Sequence, residues 1–347
     1  MPAFRLPTAV TVAVALLLGV AACGDDDSLD PPEPNDGTIT VYSGRNESLV
    51  QPLIDQFEEE SGITVQVRYG DTAQMAAQLL EEGDGTPADV FYAQDAGALG
   101  AVAKAGLFAT LPGDLLGRVD PAFQASTGEW IGVTGRSRVL VYNPSQVSED
   151  ELPASVFELT EPQWRGRLGV APTNGSFQAF VTGMRVMHGD DATRDWLAGI
   201  AANEPQIRSN NIEIVADVND GRLAAGLVNH YYLYERAHEE GVPVDQLAAK
   251  NYYFPDGDIG AMINVSGVGV LAGSAEDQDV RAFVEYLLSE AGQHYFTEQT
   301  FEYPMVSGIP VPAGMPELTE LTAPDIDLND IDGLEQTVAM ITEAGLS

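Results

Sequence analysis

Cysteine is all but missing from this chain. Cys23 is the only one, so no intramolecular disulfide can form. Basic residues are scarce as well: 16 Lys and Arg stand against 53 Asp and Glu, a formal charge of −37, and Lys104 and Lys250 are the only lysines. Such a surface repels nucleic acid and anionic lipid headgroups, which are excluded as partners. The acids are spread along the whole chain, as solubility or a salty habitat would require, and their field also concentrates cations. Beyond an N-terminal stretch, no apolar run is long enough to span a bilayer. Histidine is rare, and His188, His230, His238 and His294 form no zinc-protease pattern. With no Gly-x-Ser-x-Gly elbow and no P-loop either, nothing points to an enzyme.

What is present begins with an address. The apolar stretch from Ala9 to Val20 follows one basic residue, Arg5, and ends in Val20-Ala21-Ala22-Cys23, the pattern of a lipoprotein export signal. It predicts a signal peptide over 1–22 and lipidation at Cys23. Residues 23–37 hold acids, prolines and glycines with almost nothing to bury, and read as a flexible tether. The protein is then exported and lipid-anchored at the outer face of the cytoplasmic membrane, in the cell envelope or periplasm. Hydrophobic residues make up 44% of the chain, enough for a sizeable core.

From Thr38 onward the pattern alternates strand and helix. Residues 38–43 (TITVYS) are β-branched, and Leu49, Leu53, Ile54 and Phe57 then recur at helical spacing until Gly62. Residues 63–69 (ITVQVRY) and 88–93 read as further strands with helices between them, which implies parallel pairing through crossover connections. The long run 130–143 (WIGVTGRSRVLVYN) has a polar interruption at Gly135-Arg136-Ser137, read as a crossing between two lobes. A second strand and helix series follows, with a helix over 177–187 and another near Tyr231, and 260–271 returns as strand. The fold class is α/β: a two-lobed periplasmic-binding-protein fold of type II, hinge-connected, with its ligand site in the interlobe cleft. The expected division is 38–136 plus about 263–312 for the N-lobe, and about 137–262 plus 313–347 for the C-lobe.

The most telling motif is Asn229-His230-Tyr231-Tyr232, directly after the apolar run 224–228. Neighbouring helix positions lie about 100° apart, so Tyr231 and Tyr232 do not share a narrow core stripe, and a strand-to-helix junction can turn both into one cleft. Phenolate oxygen is a hard donor suited to a hard, highly charged cation such as ferric iron. Because tyrosine titrates near pH 10, phenolate at neutral pH needs such a cation. The other reading, aromatic packing on a helix face, stays open at this point. Candidate anion contacts are weaker: Asn174-Gly175-Ser176 and Asn211 precede helices whose first amides are free, although Asn and Ser there also serve as ordinary caps. Arg136 adds a planar fork for carbonate or phosphate.

Together these residues resemble the ferric-ion-binding family of bacterial ABC-transporter substrate-binding proteins, which look like one half of transferrin. The resemblance runs from Thr38 to the C-terminus, through residues 39–44, 87–92, 135–138, 172–177, 229–232 and 302–304. It implies Tyr231 and Tyr232 as ligands of Fe(III), and Asn174, Gly175, Ser176, Asn211, Asn229 and Arg136 as contacts for a synergistic carbonate or phosphate. One subgroup carries a histidine where this chain has Asn46 and a glutamate where it has Gln94. Another has phenols where this chain has Phe177 and Glu47. Only the tyrosine pair survives from either set, leaving Glu47 as a candidate opposite ligand and Asn46 and Gln94 as weak cleft-lining positions. The resemblance also implies delivery to a membrane permease and its ATPase, by a monomer. The competing reading keeps the fold and exchanges iron for an organic or oxyanion solute, such as a polyamine, thiamine, a phosphonate or a sugar phosphate.

Overall fold

The computed structural model describes residues 36–346, which fall within one compact unit. The expected signal peptide, Cys23 and nearly all of the tether lie outside the described residues. The first half of the chain runs β1 (Thr38–Ser43), α1 (Glu47–Ser61), β2 (Thr64–Tyr69), α2 (Thr72–Glu82), β3 (Val90–Ala93), α3 (Ala96–Lys104), α4 (Gly113–Leu116), β4 (Trp130–Tyr142) and β5 (Leu168–Val170). It continues with α5 (Gly175–Ala202), β6 (Gln206–Ile207), α6 (Asn211–Asn219), β7 (Ala225–Asn229), α7 (Tyr231–Glu240), β8 (Lys250–Tyr252) and β9 (Ile263–Val270). Last come α8 (Gln278–Leu287), α9 (Glu290–Gln299), β10 (Tyr303–Pro304) and α10 (Leu334–Glu343). The helix expected over 177–187 continues to Ala202, broken at Gly189, whose φ of 81° and ψ of 165° only glycine adopts readily.

The strand order is β2-β1-β3-β9-β4-β7-β5-β6, with β8 and β10 also pairing β4. β1 pairs in parallel with β2 and β3, as crossover helices demand, and β5 does so with β6 and β7. β4 belongs to both halves. Its first part, Trp130 to Ser137, pairs antiparallel with β9, and its second, Arg138 to Tyr142, pairs antiparallel with β7. Trp130, Ile131 and Val133 enter one apolar core, whereas Val139, Leu140 and Val141 enter two others. The polar stretch Thr134 to Arg138 lies between them, and β9 passes the same boundary from Met262 to Val265.

The C-terminal segment makes a third passage. Met315, Leu328 and Ile331 pack into the first core, while Met340 and Ile341 of α10 pack into the second, so 313–347 is shared between lobes rather than held by the C-lobe alone. Lys104 Nζ in the first lobe reaches Asp330 at 3.3 Å and Asp332 at 3.1 Å. One residue later, Arg185 in the second lobe donates to the Gly333 carbonyl at 2.7 Å and to Thr337 Oγ1 at 2.9 Å. The chain therefore changes lobes between Asp332 and Gly333.

A buried ion pair sits beneath the strand crossing. Arg45 donates through Nη1 and Nη2 to the two oxygens of Glu302 at 3.0 and 2.7 Å, and Thr134 and Thr300 donate to the same carboxylate. Arg136 Nε lies 3.6 Å away. Burial pushes the Glu302 pKa up, but Arg45 and then Arg136 outweigh it and hold the group at about 2. Burial likewise opposes the charge of Arg45, and Glu302 more than offsets this, raising its pKa above the ordinary value.

Because the folded-state pKa of Glu302 is depressed, the stability it contributes is complete above about pH 4.5 and is lost as pH falls toward about 2. Glu302→Gln leaves Arg45 buried without its counter-charge and is expected to cost about 3–5 kcal/mol. Chemical denaturation at pH 7 and at pH 3 checks this: the difference between wild type and variant should shrink at the lower pH.

Candidate functional site

The tyrosine pair is held by what precedes it. β7 is buried throughout and ends at Asn229, and His230 then takes helical angles (φ −59°, ψ −38°) so that α7 starts at once. His230 is fully buried. Its backbone N–H donates to the Ser137 carbonyl at 2.9 Å, and its Nδ1 accepts from the Ser137 N–H at 3.2 Å. The ring proton is therefore on Nε2, which donates to the Phe301 carbonyl at 3.0 Å. The imidazole stacks on Tyr303 with centroids 4.4 Å apart, and burial pushes its pKa down to about 3. His230 is thus a neutral peg, with both nitrogens spent on pinning the β7–α7 junction to β4 and to the segment leading into β10.

The peg turns Tyr231 and Tyr232 outward together. Their ring centroids lie 4.2 Å apart with an interplanar angle of 32°, and both half-buried phenols line a cleft of about 560 Å³. Burial, reinforced by the neighbouring Tyr232, pushes the Tyr231 pKa well above 10, with Arg136 pulling the other way. Without a strong positive charge in the cleft, that phenol stays protonated. Tyr234, two positions beyond Tyr232, is buried and donates to the Gly314 carbonyl at 2.9 Å, so it serves the core.

The rest of the second-lobe wall is a polar network. Asn174 caps α5: its Oδ1 accepts from Ser176 N–H at 3.0 Å and Ser176 Oγ at 2.6 Å. Asn211 Nδ2 donates to Ser176 Oγ at 3.0 Å, and its own Oδ1 is buried without a partner among the described residues. Arg138 completes the set, donating through Nη1 to Asn229 Oδ1 at 3.1 Å and Ser176 Oγ at 3.2 Å. Its Nε and Nη2 are buried with no hydrogen-bond partner among the described residues, and burial pushes its pKa down to about 10. A planar fork with unused donors at the edge of a cleft is a ready seat for a planar oxyanion.

Sequence reasoning selected Arg136 for that role and passed over Arg138. The two stand two apart on β4, on the same side of the strand, and the Gly135-Arg-Ser-Arg138 motif offers both. Arg136 does line the cleft, but it donates to the Gln94 carbonyl and lies beside Glu302, on the first-lobe side. The facing wall carries Gly44, Asp71, Thr72, Gln94 and Asp95. Gln94 Oε1 is occupied by Arg45 at 2.8 Å. Asn46 and Glu47 are exposed at the start of α1, outside the cleft lining, and Asn46 caps that helix through Ser48. Among the described residues no cluster of three or more His, Cys, Asp or Glu is arranged to hold an ion.

Known proteins share this architecture. The Fe(3+)-binding periplasmic protein of Serratia marcescens is 35% identical over 312 residues, covering 90% of this chain and 91% of its own. The major ferric iron-binding protein of Neisseria meningitidis is 31% identical, covering 89% and 93%. The crystal structure of iron-bound HitA from Pseudomonas aeruginosa superposes with a TM-score of 0.79 at 35% identity, covering 89% of this chain and 99% of that one. Residues 85–331 match the family described as bacterial extracellular solute-binding protein. With two lobes joined by shared strands, a polar cleft and this match over most of its length, the chain belongs to the bacterial extracellular solute-binding protein family.

Proposed function

We propose that this protein captures ferric iron together with a synergistic anion, carbonate or phosphate, and hands it to a membrane permease driven by an ATPase. The carrying observation is the pair of cleft-lining tyrosines whose ring centroids lie 4.2 Å apart, supported by the ferric-binding names of its relatives. Tyr231 and Tyr232 bind the ion as phenolates, each losing its proton on binding, so iron affinity falls as pH falls. The anion occupies the pocket formed by Asn174, Gly175, Ser176, Asn211 and Asn229. Arg138, rather than Arg136, presents the guanidinium fork. As in other solute-binding proteins, no covalent chemistry is involved: the lobes close on the ligand, and the N-terminal lipid anchor at Cys23 keeps the loaded monomer near its transporter.

Titrating the purified full-length chain in detergent with ferric citrate in bicarbonate buffer tests this directly. A broad visible phenolate-to-iron band saturating at one iron per chain is expected, and it is lost in Tyr231→Phe/Tyr232→Phe. Absence of a band, with no iron retained after desalting, would reject ferric capture and favour an organic or oxyanion solute in the same cleft.

Arg138→Lys keeps the charge and removes the fork. Iron retention against citrate should weaken about tenfold or more in bicarbonate, roughly 1.4 kcal/mol, with the band still forming. Equilibrium dialysis against graded citrate measures the loss.

A further inference from the structure

Two phenolates leave a ferric ion with one net positive charge, and the synergistic anion sits on the tyrosine wall, so the first-lobe wall is where a further anionic donor would stand in place of what Asn46 and Gln94 do not supply. Gln94 offers only a neutral oxygen, already accepting from Arg45. The acids that line the cleft are Asp71 and Asp95. Asp95 is committed: its Oδ1 accepts from the Ala98 N–H at 3.1 Å and caps α3. Asp71 stands in the same capping position before α2 (φ −66°, ψ 140°), yet its side chain makes no capping bond. Aspartate at a helix start is ordinarily spent on capping. This one is exposed at the cleft, with its carboxylate making no hydrogen bond among the described residues.

The backbone around it is firmly seated. Thr72 Oγ1 donates to the Gly44 carbonyl at 3.1 Å and accepts from the Gln94 N–H at 3.2 Å. A Cβ on Gly44 would lie 2.7 Å from Thr72 Cα, so only glycine lets this turn approach β1. Across the cleft, the unpartnered donors of Arg138 and the unpartnered Asn211 Oδ1 mark an unsatisfied ligand position on the tyrosine wall. We infer that Asp71, not Glu47, is the first-lobe carboxylate that coordinates the cation held by Tyr231 and Tyr232. This rests on the ferric reading above, and it explains how a chain with Asn46 and Gln94, where one subgroup it resembles has a histidine and a glutamate, completes a hard, oxygen-rich site.

The test uses full-length wild type, Asp71→Asn, Asp71→Glu and Glu47→Gln, loaded with ferric citrate in bicarbonate. In Asp71→Asn the visible band should still form but move to longer wavelength, because iron that loses an anionic donor accepts phenolate electron density more readily. Half-removal should also need about tenfold less citrate. Asp71→Glu should recover most of the retention, and Glu47→Gln should match wild type. A structural role would leave the band position unmoved, and the melting temperature of the iron-free protein should be the same in all four. If Asp71→Asn has the wild-type band and citrate midpoint, or if the shift appears in Glu47→Gln instead, the assignment is overturned while ferric capture stands. If wild type itself shows no band, both fall together.

Discussion

The buried Arg45–Glu302 pair is the constraint on which the rest of the molecule hangs. It ties the segment leading into α1 to the segment leading into β10, across a sequence separation of 257 residues. It does so directly beneath the stretch of β4 that passes between lobes. Thr134 on β4 donates to the same carboxylate, and Arg136 two residues on is placed beside it. Charges buried this deeply cost several kcal/mol each when unpaired, so the geometry tolerates little slack. Phe301, next in line, supplies the carbonyl that holds His230, and His230 sets the start of α7. The position of the tyrosine pair therefore traces back, bond by bond, to an ion pair outside the cleft lining.

The two walls of the cleft are built differently, and the difference has a physical cause. On the second lobe nearly every polar group is preorganised: Asn174, Ser176, Asn211, Asn229 and Arg138 hold one another. Groups fixed before binding lose little entropy on binding. The first-lobe wall is mixed, with Gln94 and Asp95 tied into the fold. A group left solvated costs little to maintain and is available when the facing wall arrives.

Much of this was legible in the sequence because the signals are local. Alternation in β1 and β2, apolar spacing in α1 with Gly62 at its end, and the tyrosines after a buried strand all involve residues close in the chain. The polar interruption in β4 was visible for the same reason. What stayed hidden depends on distant partners. Arg136 and Arg138 share a strand face, and only the placement of Glu302 and Gln94 decides which one is free for a ligand. Asn46 and Glu47 could be compared with relatives by position, but exposure at the cleft depends on how α1 leaves β1. The C-terminal segment was assigned to one lobe because Met315, Leu328 and Ile331 are too sparse to show a period, and their burial in the first core is purely tertiary.

That segment bears on how the two halves can move. Two adjacent strands, β4 and β9, form a ribbon that bends easily but also permits torsion, so on their own they would let the cleft walls slide past each other. The passage at Asp332–Gly333 adds a third attachment, gripped by Lys104 on one side and Arg185 on the other. A third attachment set beside the two strands resists torsion between the halves, because twisting the ribbon would have to break the contacts of Lys104 or Arg185 as well. The donors on the two cleft walls are thereby kept in one register with respect to each other.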